Sequence, residues 1–284
     1  MLRTPLLSSL AAAVLVGGAG LAFPALSQAR EPNPRADAVR KVFPTAVRIQ
    51  IAAHGEVVRS ASGIAFAVEG DHTFVLTNDH VVEPSKSWAS PVELRVLPED
   101  GRPAIVGKVV AHGRVPDVDL AVVQVPGRLT VATLASEDEL ELGDDLVVVG
   151  APFGKGLSVA AGIVSQVDYG FDESAHAPRH PKSIKTDAAI GYGSSGGGVF
   201  DVATGRLIGL VEGYRTARVA FGGKDDQQYA FDVPMPGETF VAPAAKIRRF
   251  LAEQGLGKLA PGHAPPAAAA PAQGAKPEPA ASRM

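Results

Sequence analysis

The stretch that decides how this sequence is interpreted is Thr186–Gly198, which reads TDAAIGYGSSGGG. Its dense glycines let the backbone adopt positive φ angles and let several main-chain N–H groups point at one place. Ser195 lies inside it, between Gly193 and Gly196. An oxyanion hole beside a nucleophilic serine needs this arrangement, because its donors must be fixed and unobstructed by side chains. Taken alone, the stretch is also compatible with a flexible Gly-Ser loop.

Chain order separates the catalytic alternatives. No Lys-Ser or Lys-Thr pair follows the glycines, which excludes a P-loop. Residues 193–197 also match the Gly-x-Ser-x-Gly elbow of α/β-hydrolases, but that fold needs its acid and its histidine after the serine. His263, in an Ala/Pro-rich tail, is the only histidine that follows Ser195. The usable order is therefore His, Asp, Ser, which is the order of the chymotrypsin template on β-barrels.

The pattern of the chain outside this stretch is that of an all-β protein. Short apolar or alternating runs extend from Ala46 to Val233, separated by clusters of Gly, Asp, Pro and Ser. This spacing predicts one large or two small antiparallel barrels, because the long helices that a parallel sheet needs are missing. We expect a short helix over 35–43 and a second helix that starts at Pro243 and stops before Gly255.

The two ends of the chain differ from this pattern. Arg3, the apolar run 6–26 and the small residues of Ser27–Ala29 predict a signal peptide over 1–29. The alternative is an uncleaved membrane anchor, because the run is long enough to span a bilayer. Residues 256–284 are mostly Ala and Pro, and we expect a disordered tail there.

Composition excludes several kinds of function. The net charge is −3 with no basic stripe, so we expect no nucleic-acid partner. The chain has no cysteine, which excludes a thiol nucleophile and cysteine-based zinc sites. We expect no cofactor and no metal. The polar loop Asp172–His180 leaves a metal site as a lesser alternative, because loops of mixed charge are usually solvated.

The candidate base and its carboxylate partner follow from local context. His80 comes directly after residues 74–79, which predict a strand that runs into a turn, and this places its ring at the end of a strand. Asp119 opens the apolar run 120–125, at the edge of burial, whereas Asp117 is expected to face solvent on a turn. A buried carboxylate needs a partner such as a protonated histidine, so we expect Asp119 to hold and orient His80.

Several segments resemble the HtrA (DegP-type) family of bacterial serine proteases. They are Ala61–Ile64, Leu76–Val82, Asp117–Val123, Leu142–Asp144, Gly150–Gly154, Ala161–Ser165, Lys185–Gly197 and Tyr229–Pro234. The resemblance implies a chymotrypsin-like fold of two antiparallel six-stranded β-barrels, over 37–140 and 141–255. It also implies His80 as general base, Asp119 as its orienting partner and Ser195 as nucleophile, with the N–H groups of Gly193 and Ser195 forming the oxyanion hole.

Substrate contacts are expected on both sides of the serine. Ala189, Ile190 and Tyr192 are expected to line the pocket for the residue before the cleaved bond. No acidic residue stands there, which favours a small or medium apolar side chain. The strand Val211–Gly213, which includes Glu212, is where a substrate backbone is expected to pair.

The resemblance further implies an endopeptidase that acts on unfolded or exported polypeptides in the periplasm or outside the cell. It also implies a homotrimer as a possible assembly. Membrane attachment is expected only if 1–29 stays uncleaved. The family usually carries PDZ domains after the protease, but here only the tail follows, so we expect a protease domain alone.

Two departures from the family pattern lie around the serine. Residues 191–194 read GYGS, where the family usually has Asn-Pro-Gly-Asn, and Gly198 stands where it usually has proline. More glycine predicts a looser loop and an oxyanion hole that becomes ordered when substrate binds. The alternative function is a binding or chaperone module that keeps the protease fold with weak or no activity.

Overall fold

The computed structural model describes residues 32–83, 92–136, 140–168, 183–221 and 229–260. The expected signal peptide, the loop Asp172–His180 and residues 261–284 of the expected tail lie outside the described residues. None of the helices within the described ranges is long and apolar enough to cross a membrane.

The described elements are mostly strands, as predicted. They are helix α1 (Pro34–Val42), strands β1 (Ala46–Ala53), β2 (Glu56–Glu69) and β3 (His72–Thr77), helix α2 (Asp79–Val82), strands β4 (Val92–Pro98), β5 (Ile105–Val106), β6 (Lys108–Arg114), β7 (Val118–Pro126), β8 (Asp145–Gly150), β9 (Ser158–Asp168), β10 (Ser183–Thr186), β11 (Gly198–Asp201), β12 (Leu207–Phe221) and β13 (Tyr229–Pro243), and helix α3 (Ala244–Glu253). Single 3₁₀ turns lie at Phe43–Thr45, Pro152–Gly154 and Gly257–Leu259.

The N-terminal half is a curved, seven-stranded antiparallel sheet in the order β5-β4-β1-β2-β3-β7-β6. Its two edge strands are consecutive in the chain and are separated only by Gly107, whose N–H donates to the carbonyl of Leu94 at 2.9 Å. A Cβ atom at Gly107 would lie 2.6 Å from Cγ1 of Val123, so no side chain fits there. The expected six-stranded barrel is thus a half-barrel here, because the strand that would close it is divided at Gly107.

The C-terminal half is a closed six-stranded barrel in the order β10-β13-β12-β11-β8-β9, as predicted. Its interior is filled by apolar side chains that alternate along the strands, including Val148, Val199 and Val211. Closure leaves this half without sheet edges, except where β12 and β13 run on past the barrel.

A large apolar cluster fills the space between the two halves. Ile64, Leu76 and Leu120 come from the N-terminal half and Val149 and Phe200 from the C-terminal half, and all are fully buried. Burying one such side chain stabilises the fold by about 1.5–3 kcal/mol. The cluster therefore holds rigidly together the two halves that carry the candidate site residues.

The structure gives the start of the fold, the start of the last helix and the end of the folded chain more closely than the sequence did. The side chain of Asn33 caps α1 by accepting a hydrogen bond from the N–H of Ala36, so the fold begins a few residues before 37. α3 begins directly after Pro243, as expected. The expected tail boundary at 256 is too early, because Leu259 is buried in the central cluster.

Candidate active site

His80 and Asp119 are brought together between α2 and β7. The ring Nδ1 of His80 lies 2.6 Å from Oδ2 of Asp119, and the backbone N–H of His80 donates to Oδ1 at 2.9 Å. The side chain of Asp119 is 17% exposed and that of His80 is 41% exposed. The carboxylate is therefore nearly enclosed, whereas the far side of the imidazole ring remains accessible.

Two further side chains fix this pair. The amide of Asn78 donates to the backbone carbonyl of Asp119 at 2.8 Å. The guanidinium of Arg59 donates to the carbonyls of His80, Val81 and Glu83, which are left without partners at the end of the one-turn helix α2. Burial lowers the pKa of Arg59, with Glu83 acting in the opposite direction. Sequence reasoning missed Arg59, because it is distant in the chain and carries no motif.

The electrostatics of Asp119 favour its charged form. Burial raises the pKa of this carboxyl, but hydrogen bonds from the ring and the N–H of His80 and from the N–H of Asp79 outweigh burial. The net result is a pKa below the usual value for aspartate. Asp119 is therefore a carboxylate that can hold the Nδ1 proton of His80 in place.

The Ser195 segment consists of tight turns held by backbone hydrogen bonds. The N–H of Ser194 donates to the carbonyl of Gly191 at 3.0 Å, and the N–H of Gly197 donates to the carbonyl of Ser194 at 2.8 Å. Gly193 and Gly196 have φ angles of +91° and +79°, which favour glycine. Neither Gly193 nor Ser195 uses its N–H to donate to another described residue. Both donors are thus left for another acceptor.

Ser62 of β2 ties this segment to the end of β3, from which His80 follows. The N–H of Ser62 donates to the carbonyl of Ser195 at 2.9 Å, and its hydroxyl donates to the carbonyl of Gly193 at 2.7 Å. Its own carbonyl accepts from the hydroxyl of Thr77 at 2.8 Å. These hydrogen bonds hold the Ser195 segment beside the end of the strand that leads to His80. Within the described structure, no hydrogen bond joins Ser195 Oγ to His80, and such bonds are often longer before substrate binds.

The glycines after Ser195 have a packing role. A Cβ atom at Gly196 would lie 2.2 Å from the carbonyl oxygen of Ser62. Gly198 begins β11, pairs with Val149 and Leu210, and leaves no room for a Cβ beside the ring of Phe200. Gly198 therefore has a packing role, because its neighbours leave no room for a side chain.

A cavity of about 440 Å³ opens beside the Ser195 segment. Three of the expected contacts line it, namely Ala189, Ile190 and Tyr192. The remaining lining residues are Val148, Gly150, Pro152, Phe153, Ser158, Ala160, Gly191, Ser194, Tyr214 and Pro234. None of these described residues is charged, so the wall offers no charged partner to a basic side chain.

The other three expected contacts do not line the cavity. The side chain of Val211 is fully buried in the barrel, and its N–H and carbonyl are bonded to Gly197 and Gly196. Val211 therefore has no backbone group left for a substrate. Glu212 is held by the ammonium of Lys246 at 2.5 Å, and Gly213 pairs with Phe240 of β13.

Sequence reasoning missed two aromatic residues of the cavity. Tyr214 packs edge to face against Tyr192, with ring centroids 5.8 Å apart, and its buried hydroxyl has no hydrogen-bond partner among the described residues. Burial, together with the neighbouring Tyr192, raises the pKa of Tyr214 to about 12. Phe153 is 68% exposed at the rim in a left-handed conformation, with φ +58°, and its N–H donates to the carbonyl of Tyr192 at 2.6 Å.

Among the described residues, no group of three or more His, Asp or Glu side chains could hold a metal ion. The loop Asp172–His180, which was the lesser alternative for a metal, lies outside them.

Comparisons with known proteins agree with this geometry. The periplasmic serine endoprotease DegP of Escherichia coli is 36% identical over 152 residues, which is 53% of this chain and 29% of that protein. Serine protease HTRA1 of Xenopus laevis is 31% identical over 222 residues, which is 77% of this chain and 42% of that protein. The chain thus spans less than half the length of these relatives, and the resemblance to the HtrA/DegP proteins is confirmed.

The fold and the family are supported independently. The crystal structure of a serine endoprotease from Yersinia pestis matches with a TM-score of 0.57 at 21% identity, covering 78% of this chain and 67% of that one. This match shows the chymotrypsin-like fold. A family model described as a trypsin-like peptidase domain matches residues 61–210, which is more than half of the chain. The chain therefore belongs to the trypsin-like peptidase family.

Proposed function

We propose that this protein is an exported serine endopeptidase that hydrolyses peptide bonds in unfolded or exported polypeptides. The observation that carries the proposal is the hydrogen-bonded pair of His80 and Asp119 beside the Ser195 segment. In that segment, the N–H groups of Gly193 and Ser195 have no acceptor among the described residues. Such a group of residues can hydrolyse a peptide bond without a cofactor.

Each residue has a role in the proposed reaction. His80 takes the proton from Ser195 Oγ through its Nε2 while Oγ attacks the carbonyl carbon of the substrate. The N–H groups of Gly193 and Ser195 bind the oxyanion that develops. His80 then gives the proton to the leaving amine, and water releases the acyl group by the same steps. Asp119 holds the Nδ1 proton of His80 and stabilises the positive charge that forms on its ring.

The proposed preference before the cleaved bond is a small or medium apolar residue. It is supported by the uncharged cavity wall, to which Val148, Ala160, Ala189 and Ile190 contribute. Such binding is driven by the burial of apolar surface, which contributes about 25 cal/mol of free energy per Å² buried. A peptide library with each residue type at this position tests the preference, and strong selection for Arg or Lys would contradict it.

Export is proposed from the expected signal peptide over 1–29 and from the printed names of relatives. DegP and DegQ of Escherichia coli are named as periplasmic enzymes. Mass spectrometry of protein recovered from the periplasm or the medium should find a chain that starts at Arg30. Recovery of uncleaved chain from the membrane fraction would favour an anchor. A homotrimer stays a proposal, and light scattering after gel filtration tests it.

A fluorophosphonate probe for active serines tests the central proposal. We expect the wild-type protein to be labelled and Ser195→Ala to be unlabelled. Ser194→Ala is the matched control, because Ser194 is the adjacent serine and its buried Oγ accepts from the N–H of Gly191. Labelling of Ser195→Ala, or none of the wild type, would contradict the proposal.

The second candidate function is a catalytically weak binding or chaperone module. Residues 191–194 favour it, because they read GYGS where the family usually has Asn-Pro-Gly-Asn. It predicts that an unfolded protein is bound and protected from aggregation but not cleaved, with no labelling by the probe.

A further inference from the structure

Strands β12 and β13 continue past the closed barrel as a two-stranded ribbon. Its paired residues run from Thr216 opposite Pro234 to Phe221 opposite Tyr229. In the described structure no third strand pairs with this part. The ribbon starts at the cavity, because Tyr214 and Pro234 lie at its base and line the cavity wall. A two-stranded ribbon alone is only marginally stable in water.

The two edges of the ribbon differ in their ability to take another strand. On β13, Pro234 and Pro236 have no N–H, and Gly237 adopts φ +76°. This edge cannot offer a regular row of donors, which is a common way of blocking strand addition. On β12, residues 216–221 contain no proline and include the strand-favouring Thr216 and Val219. Next to the cavity, the β12 edge is therefore better suited to pairing than the β13 edge.

The β12 edge is continuous with the Ser195 segment. Val211 is the last residue of β12 that this segment engages, through Gly196 and Gly197. From Glu212 onward, the side of β12 that faces away from β13 has no strand partner in the described structure. After the register shifts between Val211 and Gly213 and between Tyr214 and Thr216, residues 216–221 run regularly for about 20 Å at the usual rise of a strand. A chain with its scissile bond at Ser195 thus meets the start of this edge.

The two faces of the ribbon also differ. Val219 lies opposite Phe231, and Ala217 lies opposite Val233, so these four side chains share one face. Phe231 is 50% exposed on that face. Arg218 pairs in register with Asp232, and both are on the other face. A strand added to the β12 edge would therefore place alternate side chains against an apolar surface.

We propose that residues 216–221 of β12 bind the polypeptide substrate as a third strand. The part of the substrate that pairs there lies several residues N-terminal to the cleaved bond. The proposal rests on the proposed peptidase function and extends it. The residue before the cleaved bond enters the cavity, and the chain on its N-terminal side runs past Tyr214 along the ribbon. The favoured substrate is an extended, unfolded segment with apolar side chains at alternate positions.

A peptide series on the wild-type protein tests the proposal. Each peptide carries valine before a fluorogenic amide, preceded by either three or eight residues that alternate valine and serine. We expect kcat/KM to be about tenfold higher for the longer peptide, because several cross-strand pairs are added. Methylation of alternate backbone nitrogens should remove the gain in one register and leave it in the other. Equal kcat/KM for all lengths would overturn the proposal.

Variants of the ribbon supply a second test. Replacing residues 217–233 by Asn-Gly joins Thr216 to its partner Pro234 through a two-residue turn. Cleavage of the short peptide should be unchanged, and the gain with length should vanish. Val219→Asp on the apolar face should reduce the gain, whereas Ala220→Asp, the matched control on the other face, should keep it. A retained gain in the shortened variant would contradict the proposal.

Binding separates this inference from the proposed function. Fluorescence anisotropy on Ser195→Ala protein measures the affinity for the short and long peptides without turnover. Tighter binding of the long peptide by about tenfold supports the ribbon even if no probe labels the wild type. Labelled, active protein with equal affinities overturns the ribbon and keeps the peptidase. A change of molecular mass in the shortened variant would instead identify the ribbon as an interface between copies of this chain.

Discussion

The two sides of the candidate site are held in different ways. On the His80 side, side chains make the contacts, since Asp119, Asn78 and Arg59 each bind a specific backbone or ring atom. On the Ser195 side, backbone lies directly against backbone, and Gly196 leaves no room for a Cβ atom. The first arrangement depends on polarity and the second on size. Substitutions that conserve shape should therefore damage one side, and substitutions that add a methyl group should damage the other.

The largest expected effect is that of Asp119→Asn. The variant keeps the shape of the side chain, but its amide can donate to Nδ1 of His80 and hold the wrong tautomer. We expect kcat/KM for a peptide substrate to fall by about four orders of magnitude. Circular dichroism should show an unchanged fold.

Asp117→Asn is the matched control, because Asp117 is exposed on the turn two residues earlier. It should keep its activity. An equal loss in both variants, or a fully active Asp119→Asn, would show that polarity does not govern this side of the site.

The next effect in size is that of Gly196→Ala. Its Cβ would meet the carbonyl oxygen of Ser62 at 2.2 Å and the hydroxyl of Thr77 at 2.5 Å, at a residue with φ +79°. Strained backbone and overpacking together should cost about 2–4 kcal/mol of unfolding free energy. Urea denaturation measures the loss, and labelling by the serine probe should fall in parallel.

Gly191→Ala is the control for size in the same segment. A Cβ there would make ordinary contacts, with the ring of Phe153 at 3.5 Å and with Cβ of Pro152 at 3.9 Å. Its stability should change by less than about 0.5 kcal/mol, as for most surface substitutions. If both alanine variants were equally stable, backbone packing would not be what holds the Ser195 side.

The sequence predicts the parts of the site that depend on local chemistry. The glycine-rich stretch around Ser195 and the order of His80 and Asp119 along the chain point to one fold and one arrangement of residues. The packing role of Gly198 was missed, because the need for glycine comes from Phe200 and Ile64, which touch it only in the folded chain. The half-barrel was missed for a similar reason, since one glycine divides the strand that would close it.

Contacts between distant strands could not be predicted from the sequence either. Arg59 precedes α2 by some twenty residues, and only the pairing of β2 with β3 brings it under the helix. Tyr214 enters the cavity because β12 bulges on both sides of it, between Val211 and Gly213 and between Tyr214 and Thr216. Neither bulge has a sequence signal that separates it from regular strand.

A smaller effect is expected for Arg59→Met. The variant keeps much of the apolar stem but removes the donors to the carbonyls of His80, Val81 and Glu83. Hydrogen bonds from charged groups contribute about 1.5–3 kcal/mol to stability. At this half-exposed position, water can donate to the same carbonyls and offset part of the loss. We expect kcat to fall about tenfold with little change in KM. Arg59→Lys should restore part of the activity, and a tenfold rise in KM with kcat unchanged would point to substrate binding instead.

The smallest effect concerns pH, and it separates the two sides once more. The pKa of Asp119 is lowered in the folded protein, so its contribution to stability is present above the usual aspartate pKa of about 4. That contribution is lost as pH falls from there through the lowered pKa. In urea titrations, the stability difference between wild type and Asp119→Asn should therefore shrink on acidification. The deficit of Gly196→Ala should stay constant over the same range, because steric overlap with Ser62 involves no titrating group. A deficit of Gly196→Ala that follows pH as closely as that of Asp119→Asn would mean that the two sides are electrostatically coupled.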